Sequence, residues 1–541
     1  MQNINSTQDY TSLEQPYQLV LPLNVEFQIP KDDPVRLVRY CIGGMDLSAL
    51  YQNCHHVNRN QASPAQMLAV LSYAYANSIF STRKIEEACR SNIKFMYLLE
   101  GKPAPDHATI SRFITKRLRP CIREIFTQMG KFLEKIGAVS RQDIFIDGTK
   151  IESFANKYKF VWKKAVEKHK DKILAKLPAF CTRAEADLGI RVPHGETIRL
   201  HHLKNLRRKL RRKILEDGIA FVHGSGKRKT PLQRTFEELD GYIVRLKHYI
   251  AELHEMRGRN SFAKTDKDAT FMRMKEDAMK NGQLKPAYNV QYGSDSEFIL
   301  WASVGPQTTD TNTLVPFLRE FEQSYGTCCE NVVADAGYES EENYTYLEDH
   351  GMKSFIKPIN YEKSKTRKWK NDIGRFENMT YLPDEDAYLC ANGRKLHIER
   401  TYQSKTKTGY RSEKTCYACE DCRDCPMKAD CIHGNHFKKP MEERTKRLIV
   451  SKKFLRQRKE DLARITSEEG VELRVNRSIQ AEGAFADIKA DMGFRRFLGR
   501  GTENALVAVI LLAMAHNVQK LHHKIQNGMV GRHRIPVNQA A

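Results

Sequence analysis

Two short apolar runs in this chain each end in an aspartate close to a glycine. One is Asp143-Ile144-Phe145-Ile146-Asp147-Gly148, the other Asn331-Val332-Val333-Ala334-Asp335-Ala336-Gly337. Runs of this length closed by a turn residue read as buried strands, so both carboxylates are expected at strand ends. A third acid, Glu482, falls in a late segment that reads as a helix. A lone acid at a strand end most often caps a loop, whereas two of them with a helical third make a far more specific pattern. Parallel neighbouring strands would bring Asp147 and Asp335 together, and Glu482 would approach from a helix packed on the sheet. Magnesium takes hard oxygen ligands and keeps several waters. Two such ions about 4 Å apart activate the attacking oxygen and stabilise the leaving one in phosphodiester displacement. Glu472, Glu503 and Asp487 compete for the third place. Asp310 reads as the cap of the helix after it, with a position beside the metal as the alternative.

A second chemistry lies in the cysteines. Six of the 13, Cys390, Cys416, Cys419, Cys422, Cys425 and Cys431, fall in one polar stretch. Cys419-x2-Cys422-x2-Cys425-x5-Cys431 offers four thiolates, enough for one tetrahedral zinc. An iron–sulfur cluster is the alternative, because Cys416-x2-Cys419-x2-Cys422 followed by Cys425-Pro426 approaches a ferredoxin run but is one residue short before its last cysteine. Cys390, His433 and His436 stay unassigned, and Cys416 serves only the iron–sulfur alternative. Cys41, Cys89 and Cys121 sit in apolar helical settings and are expected in the core. The first residues carry no basic and apolar leader, so a reducing cytoplasm is expected and clustered cysteines should bind metal rather than pair.

These groups need elements to hold them. Residues 1–30 read as loose, with an apolar hook at Leu19–Leu23. Ser63-Pro64 is an N-cap and first-turn pair, Ser81 starts a second helix, and Pro105–Thr109 leads into a third bearing Arg112, Lys116 and Arg117. Three short helices with a basic last member fit a helix-turn-helix-like DNA-binding domain, a bundle with a solvated basic face being the bland alternative. From Ala155 to Asn260 there are 26 Lys/Arg against 12 Asp/Glu, which is more than half of the net charge of +23. Leu232, Phe236, Leu239, Ile243, Leu246, Ile250 and Leu253 alternate spacings of four and three, a coiled-coil seam. Leu203, Leu206 and Leu210 begin a matching stripe beside Arg207, Arg208, Arg211 and Arg212, so the insert reads as a basic helical hairpin turning near His223–Gly226. Ala287–Tyr292 and Phe298–Ala302 flank a turn at Gly293–Ser296, Thr311–Gln323 reads as a helix, and Ser354–Ile356 as a further strand. The apolar run Ala505–Ala515 is too short to span a bilayer and reads as a buried helix. With 541 residues the chain holds several domains, and 89 Lys+Arg against 66 Asp+Glu favour a polyanionic partner.

Asp147-Gly148-Thr149-Lys150, Ala334-Asp335-Ala336-Gly337-Tyr338 and Ala481-Glu482-Gly483-Ala484-Phe485-Ala486-Asp487-Ile488-Lys489 resemble the three acidic motifs of the DDE transposases of bacterial insertion sequences. Ser81-Thr82-Arg83 and Pro105–Phe113 are similar to the N-terminal domain of one branch. The resemblance implies an α/β ribonuclease-H-like catalytic core with an N-terminal all-α domain, a basic helical-hairpin insert and a cysteine-rich zinc-binding insert. In residue terms this gives a helical DNA-binding domain at 31–138, the core at 139–154 and 261–358, the basic insert at 155–260, the cysteine-rich insert at 359–450, core-completing helices at 451–525 and a tail at 526–541. It implies metal binding by Asp147, Asp335 and Glu482, two magnesium ions with manganese able to substitute, while the cysteine spacing points to a structural zinc on Cys419, Cys422, Cys425 and Cys431. Lys489, Arg207, Arg208, Arg211, Arg212 and Arg112 would contact DNA. The implied reaction is cleavage at transposon-end inverted repeats followed by strand transfer, by a homodimer assembled on DNA in the bacterial cytoplasm, nucleoid-associated and away from membranes. A stand-alone ribonuclease-H-like endonuclease and a non-enzymatic sequence-specific DNA-binding protein are the alternatives. The better-known branch carries an arginine four residues before the glutamate and a tyrosine further upstream. Ser478 and Val475 stand there, and Arg477 is one residue out of phase, which leaves Arg477 and hairpin-forming cleavage unassigned.

Overall fold

The computed structural model describes residues 28–54, 60–191, 196–224, 226, 228–274, 282–433 and 439–536. The apolar hook at Leu19–Leu23, His436 and the last residues of the expected tail lie outside them. Six strands form the central sheet: β1 Asp143–Glu152, β4 Thr270–Arg273, β5 Leu284–Asp295, β6 Phe298–Gly305, β7 Asn331–Ala334 and β8 Lys353–Ile356. β1 runs parallel to β7, and β7 parallel to β8. On its other side β1 pairs antiparallel with β5, which carries β6 and β4 on its outer edge.

The period of two along a strand decides what each face meets. Ile144 and Ile146 enter the main apolar cluster with the N-terminal helices and the helix Thr502–Gln526. Phe145 points the other way, into a smaller cluster with Val333, Phe355, Ile465, Leu473 and Ala481. By the same alternation Asp147 belongs to the face of Phe145, where the helix Glu468–Arg477 and its continuation pack. β1 continues for five residues beyond Asp147, so that acid sits within the strand rather than at its end. What ends at Ala334 is the parallel neighbour β7, while β5 goes on pairing with Gly148–Glu152. The β5–β6 turn also differs from expectation. Its tip is Ser296-Glu297, both at positive φ, and Gly293–Asp295 remain in the strand.

The N-terminal helices Pro34–Gly43, Pro64–Ala76, Thr82–Ser91 and Ile122–Lys135 share the main cluster with one face of the sheet. Ser63 and Gln66 form a capping box, and Asp106 caps His107–Arg112 through the Thr109 amide. The basic insert is three helices rather than a hairpin of two: Lys163–Leu188, Leu200–Glu216 and Pro231–Glu255. The added member carries Pro178 inside it and a weak stripe, which hid it in the sequence. Leu239, Ile243 and Leu246 of the seam are buried, whereas Ile250 is exposed and Leu253 packs against a small separate cluster with Val166 and Met256. The bundle leaves and rejoins the core through a two-stranded neck, β2 Phe160–Trp162 against β3 Ser261–Ala263.

The cysteine-rich stretch contains a five-stranded antiparallel sheet in the order β13-β12-β11-β10-β9 (Arg447–Val450, Arg411–Cys419, Lys395–Lys405, Ala387–Leu389, Thr380–Leu382). Thr502–Gln526 is long and apolar enough to cross a membrane, but 72% of its most apolar window is buried inside the protein, as befits a core helix.

Candidate active site and cysteine cluster

β1 and β7 set the first two acids. Ile146 pairs with Ala334, so Asp147 and Asp335 follow one step later, Asp147 within β1 and Asp335 just past the end of β7. Asp335 opens a tight turn, its carboxylate accepting the Gly337 amide at 2.7 Å. A side chain would crowd its neighbours at two nearby positions. A Cβ on Gly148 would stand 2.3 Å from Gln291 Nε2 and 2.8 Å from Asp310 Oδ1, and one on Gly337 would stand 3.0 Å from Asp335 Oδ1.

Glu482 closes a π-helical turn, Ser478–Glu482. A π turn bonds i to i+5 and so brings residues five apart into line, where an α-helix aligns residues four apart. Arg477 therefore meets Glu482 after all, Nη2 to Oε1 at 2.6 Å, and its other Nη approaches Asp147 Oδ1 at 3.9 Å. One guanidinium thus spans the first and third acids. The out-of-phase position of Arg477 in the sequence is undone by one wide turn, which residue spacing alone does not reveal. The turn is anchored from β5, where Ser294 donates to the Gln480 carbonyl at 3.3 Å.

The competitors lie elsewhere. Glu472 pairs with Arg534, which also binds Asp143 at the far end of β1. Glu503 pairs with Arg119, and Asp487 with His516. Asp310 departs from its expected role. Thr313 stands at the N-cap position of the following helix without a side-chain capping bond, its hydroxyl donating to the Asp310 backbone carbonyl, while the Asp310 carboxylate accepts from Asn289 and Gln291 at 2.7 and 2.8 Å. Tyr338, fully buried, donates to Gln291. Burial, with the carboxylates of Asp310, Asp147 and Asp335 next, holds its hydroxyl far above the ordinary phenol range, partly offset by Arg477.

The DNA-contact candidates are dispersed. Lys489 donates to the Lys150 carbonyl at 3.2 Å, beside β1. Arg207 is held by Asp240 at 2.7 Å, and Arg208 by Asn205. Arg211 and Arg212 are exposed and make no ion pair among the described residues. Arg112, exposed, donates to Thr109.

Five cysteines, Cys390, Cys419, Cys422, Cys425 and Cys431, line one small cavity of about 20 Å³. Cys390 is brought there by the β10–β11 turn, a convergence no spacing rule would find. Two donors aim at sulfur: the Lys446 amide at Cys422 and Asn392 Nδ2 at Cys425, 3.3 and 3.5 Å. Cys416, on the opposite face of β12 from Cys419, bonds Glu399 instead, which removes one ligand from the iron–sulfur alternative. His433 pairs with Asp372. Burial and the neighbouring Cys422 push the Cys419 thiol up to about 11. Among the described residues, no three or more His, Cys, Asp or Glu side chains are drawn together closely enough to hold a metal ion.

The protein is thus a mixed α/β molecule whose central sheet is consistent with a nuclease-like core. A family model described as Transposase DDE domain matches residues 389–522, and one described as Transposase domain (DUF772) matches residues 23–116. Together they support a DDE transposase of insertion-sequence type, whose partner is DNA. The first match contains Glu482, Lys489 and the cysteines, the second contains Arg112, and Asp147 and Asp335 lie between them. No curated protein and no solved structure matches the chain.

Proposed function

We propose that the protein binds the inverted repeats at transposon ends, cleaves DNA there with a divalent cation, and joins the freed 3′-hydroxyl to target DNA. On this reading the order β6-β5-β1-β7-β8, a hairpin antiparallel to β1 beside three parallel strands, is a ribonuclease-H-like core. The observation that carries it is the parallel register that sets Asp147 and Asp335 one residue beyond the paired Ile146 and Ala334, with Glu482 tied to Asp147 through Arg477. The residues suit magnesium or manganese. The donors are carboxylate oxygens, Gly337 leaves room beside Asp335 that a Cβ would fill, and a cationic group already lies between Asp147 and Glu482. Asp147, Asp335 and Glu482 would hold two ions, which when bound lower the pKa of the attacking oxygen and offset charge on the leaving one. Asp147 is held rigidly in the strand, whereas Glu482 is 54% exposed and free to exchange Arg477 for a cation. Arg477, once released, and Lys489 are then available to DNA phosphate. Cys419, Cys422, Cys425 and Cys431 would hold a structural zinc once drawn together around it, with Cys390 beside them, in a 359–450 insert that helps grip DNA. Residues 31–138 and the 155–260 insert bind DNA, and two chains assemble on it.

Glu482→Gln keeps shape and removes charge. DNA binding should survive while cleavage falls by several orders of magnitude, at about tenfold per 1.4 kcal/mol of lost stabilisation. Asp147→Asn and Asp335→Asn should match it, pairs adding little because the acids act as one unit, and Glu503→Gln should stay active. Normal cleavage by all three variants would reject the reading, and cleavage without joining of 3′ ends would leave a stand-alone nuclease. Metal analysis should find about one zinc per chain, absent from Cys422→Ser/Cys425→Ser; stoichiometric iron with visible absorbance would replace zinc by a cluster.

A further inference from the structure

A slot opens past the ends of β7 and β8. Pro358, one of its lining residues, follows β8 by two positions, and the Lys357 amide donates to the carbonyl of Ala334, the residue before Asp335, at 3.4 Å. The slot therefore lies at the edge of the sheet from which Asp335 emerges. Its wall is apolar: Tyr361, Trp369 and Phe376 come from the segment after β8, and Leu455 and Leu462 from the helix Lys452–Thr466. Leu462, and Ile359 between the lining residues Pro358 and Asn360, are exposed. The cavity measures about 260 Å³. That is just under the pockets that enclose a drug-sized molecule, about 300–1,000 Å³, and it suits a single planar ring system.

The surroundings carry the opposite chemistry. From Lys357 to Arg375 there are seven Lys/Arg against two acids, and Arg458 and Lys459 line the slot from the facing helix. Of the two acids, Glu362 is paired with Lys357 and Lys365, and Asp372 with Arg375 and His433. Cations also lie against the rings: Lys365 Nζ is 3.9 Å from the Tyr361 ring centre, and the Arg375 guanidinium 3.4 Å from that of Trp369. Arg474 stands over Tyr361 at 5.6 Å. One turn further along the same side of that helix is Arg477, which spans Asp147 and Glu482. The slot thus adjoins the candidate active site through one ring and one helical turn. Asn360 and Glu377 also line it and offer a donor and an acceptor to the edge of a ring.

A hydrocarbon ligand would leave the cations unused, and a bare phosphate would leave the aromatic wall unused. A nucleobase still joined to its phosphates satisfies both, since the ring stacks on aromatic side chains while the backbone meets cations. A duplex keeps its bases stacked inside, so the occupant has to be a base that has left the stack. We propose that this slot takes a single nucleobase turned out of the DNA duplex beside the phosphate to be cut, stacked against Tyr361 and Trp369, with its flanking phosphates on the cations between Lys363 and Lys370. The proposal rests on the DNA-cleaving reading of Asp147, Asp335 and Glu482.

The test is binding of the full-length protein to three duplexes of one sequence, without divalent cation. One is fully paired, one carries an extra thymine bulged from one strand, and one has an abasic residue in that bulge, which controls for the flexibility a bulge confers. The protein should bind the bulged thymine about tenfold more tightly than the abasic bulge, the scale of one base stacked on aromatic side chains. Trp369→Ala should erase that preference, and Trp369→Phe should keep most of it. Leu462→Trp, which fills the slot from the facing helix, should erase it as well. All three variants should bind the paired duplex as wild type does, which marks them as folded. With 5-iodouracil in place of the bulged thymine, irradiation should cross-link the base within residues 361–376. Equal affinity of the wild-type protein for the two bulges, or a preference that survives both Trp369→Ala and Leu462→Trp, overturns the slot. No preference together with a DNA-free dimer that Leu462→Trp breaks assigns the slot to a second copy of the chain instead. Failure to bind any of the three duplexes rejects the DNA reading itself, whereas binding without preference rejects only the slot.

Discussion

Asp461 carries its carboxyl inside the protein, where the helix Lys452–Thr466 crosses β8. It accepts from the Ile356 amide and from the Tyr344 hydroxyl, both at 3.3 Å, with Arg464 at 3.8 Å. Burial outweighs these partners and pushes the group up to about 7. Unfolded, the carboxyl ionises near 3.8; folded, it keeps its proton to about 7. Between those values the unfolded chain gains an ionisation the native protein lacks, so native stability falls as pH rises through the window and levels off above it. Asp461→Asn removes the titration. The variant should melt above wild type at pH 8 and with it at pH 4. A difference of equal size at both values would mean that burial of this charge does not govern the slope. Ile356, whose amide Asp461 accepts, is paired with Ala334, the residue before Asp335.

Among the elements, the basic insert separates arginines by what they meet. Arg207 is engaged with Asp240 across the bundle, while Arg211 and Arg212 face solvent on the same helix. Replacing Arg211 and Arg212 by Ala should weaken DNA binding for all sequences and flatten its dependence on salt, by up to about 0.9 log units for each phosphate no longer neutralised. Arg207→Ala should instead lower the melting of the insert and leave the salt slope unchanged. A slope that responds to Arg207 alone would reverse this division. The sequence made such helices legible where an apolar stripe is continuous, as in Leu239, Ile243 and Leu246, and failed for Lys163–Leu188, whose stripe is diluted by lysines. It made Asp147 and Asp335 legible through the apolar runs before them. It concealed the partnership of Arg477 with Glu482, because a π turn shifts phase by one residue, and the true setting of Asp310, because its partners Asn289 and Gln291 come from another strand. Cys390 was unassignable for the same reason: only hairpin pairing brings it to the other four thiols.

At the scale of the whole molecule, the question is how far the basic insert is separable from the core that splits around it. Ile173, Leu177, Leu206, Leu210, Leu239 and Ile243 form an apolar cluster of their own, distinct from the one beneath the central sheet. The chain enters and leaves through β2 and β3, where Trp162 pairs with Ser261, so the two ends are already side by side. Loop length adds little to the closure cost when the ends are fixed by pairing. Replacing residues 164–258 with a short Gly-Ser turn should therefore join β2 to β3 as a hairpin and leave the core folded. The shortened protein should keep Thr502–Gln526 buried and melt in one transition. It should still cleave a short end sequence at high enzyme concentration, because Asp147, Asp335 and Glu482 are untouched. Its DNA affinity should fall, and the fall should be largest at low salt, since the insert carries 26 Lys/Arg between residues 155 and 260 against 12 acids. The check is a binding isotherm at several salt concentrations beside a cleavage time course. An unfolded product would show that the bundle is part of the core's stability, and a folded product with unchanged affinity would move the DNA grip to the N-terminal helices or the cysteine-rich sheet.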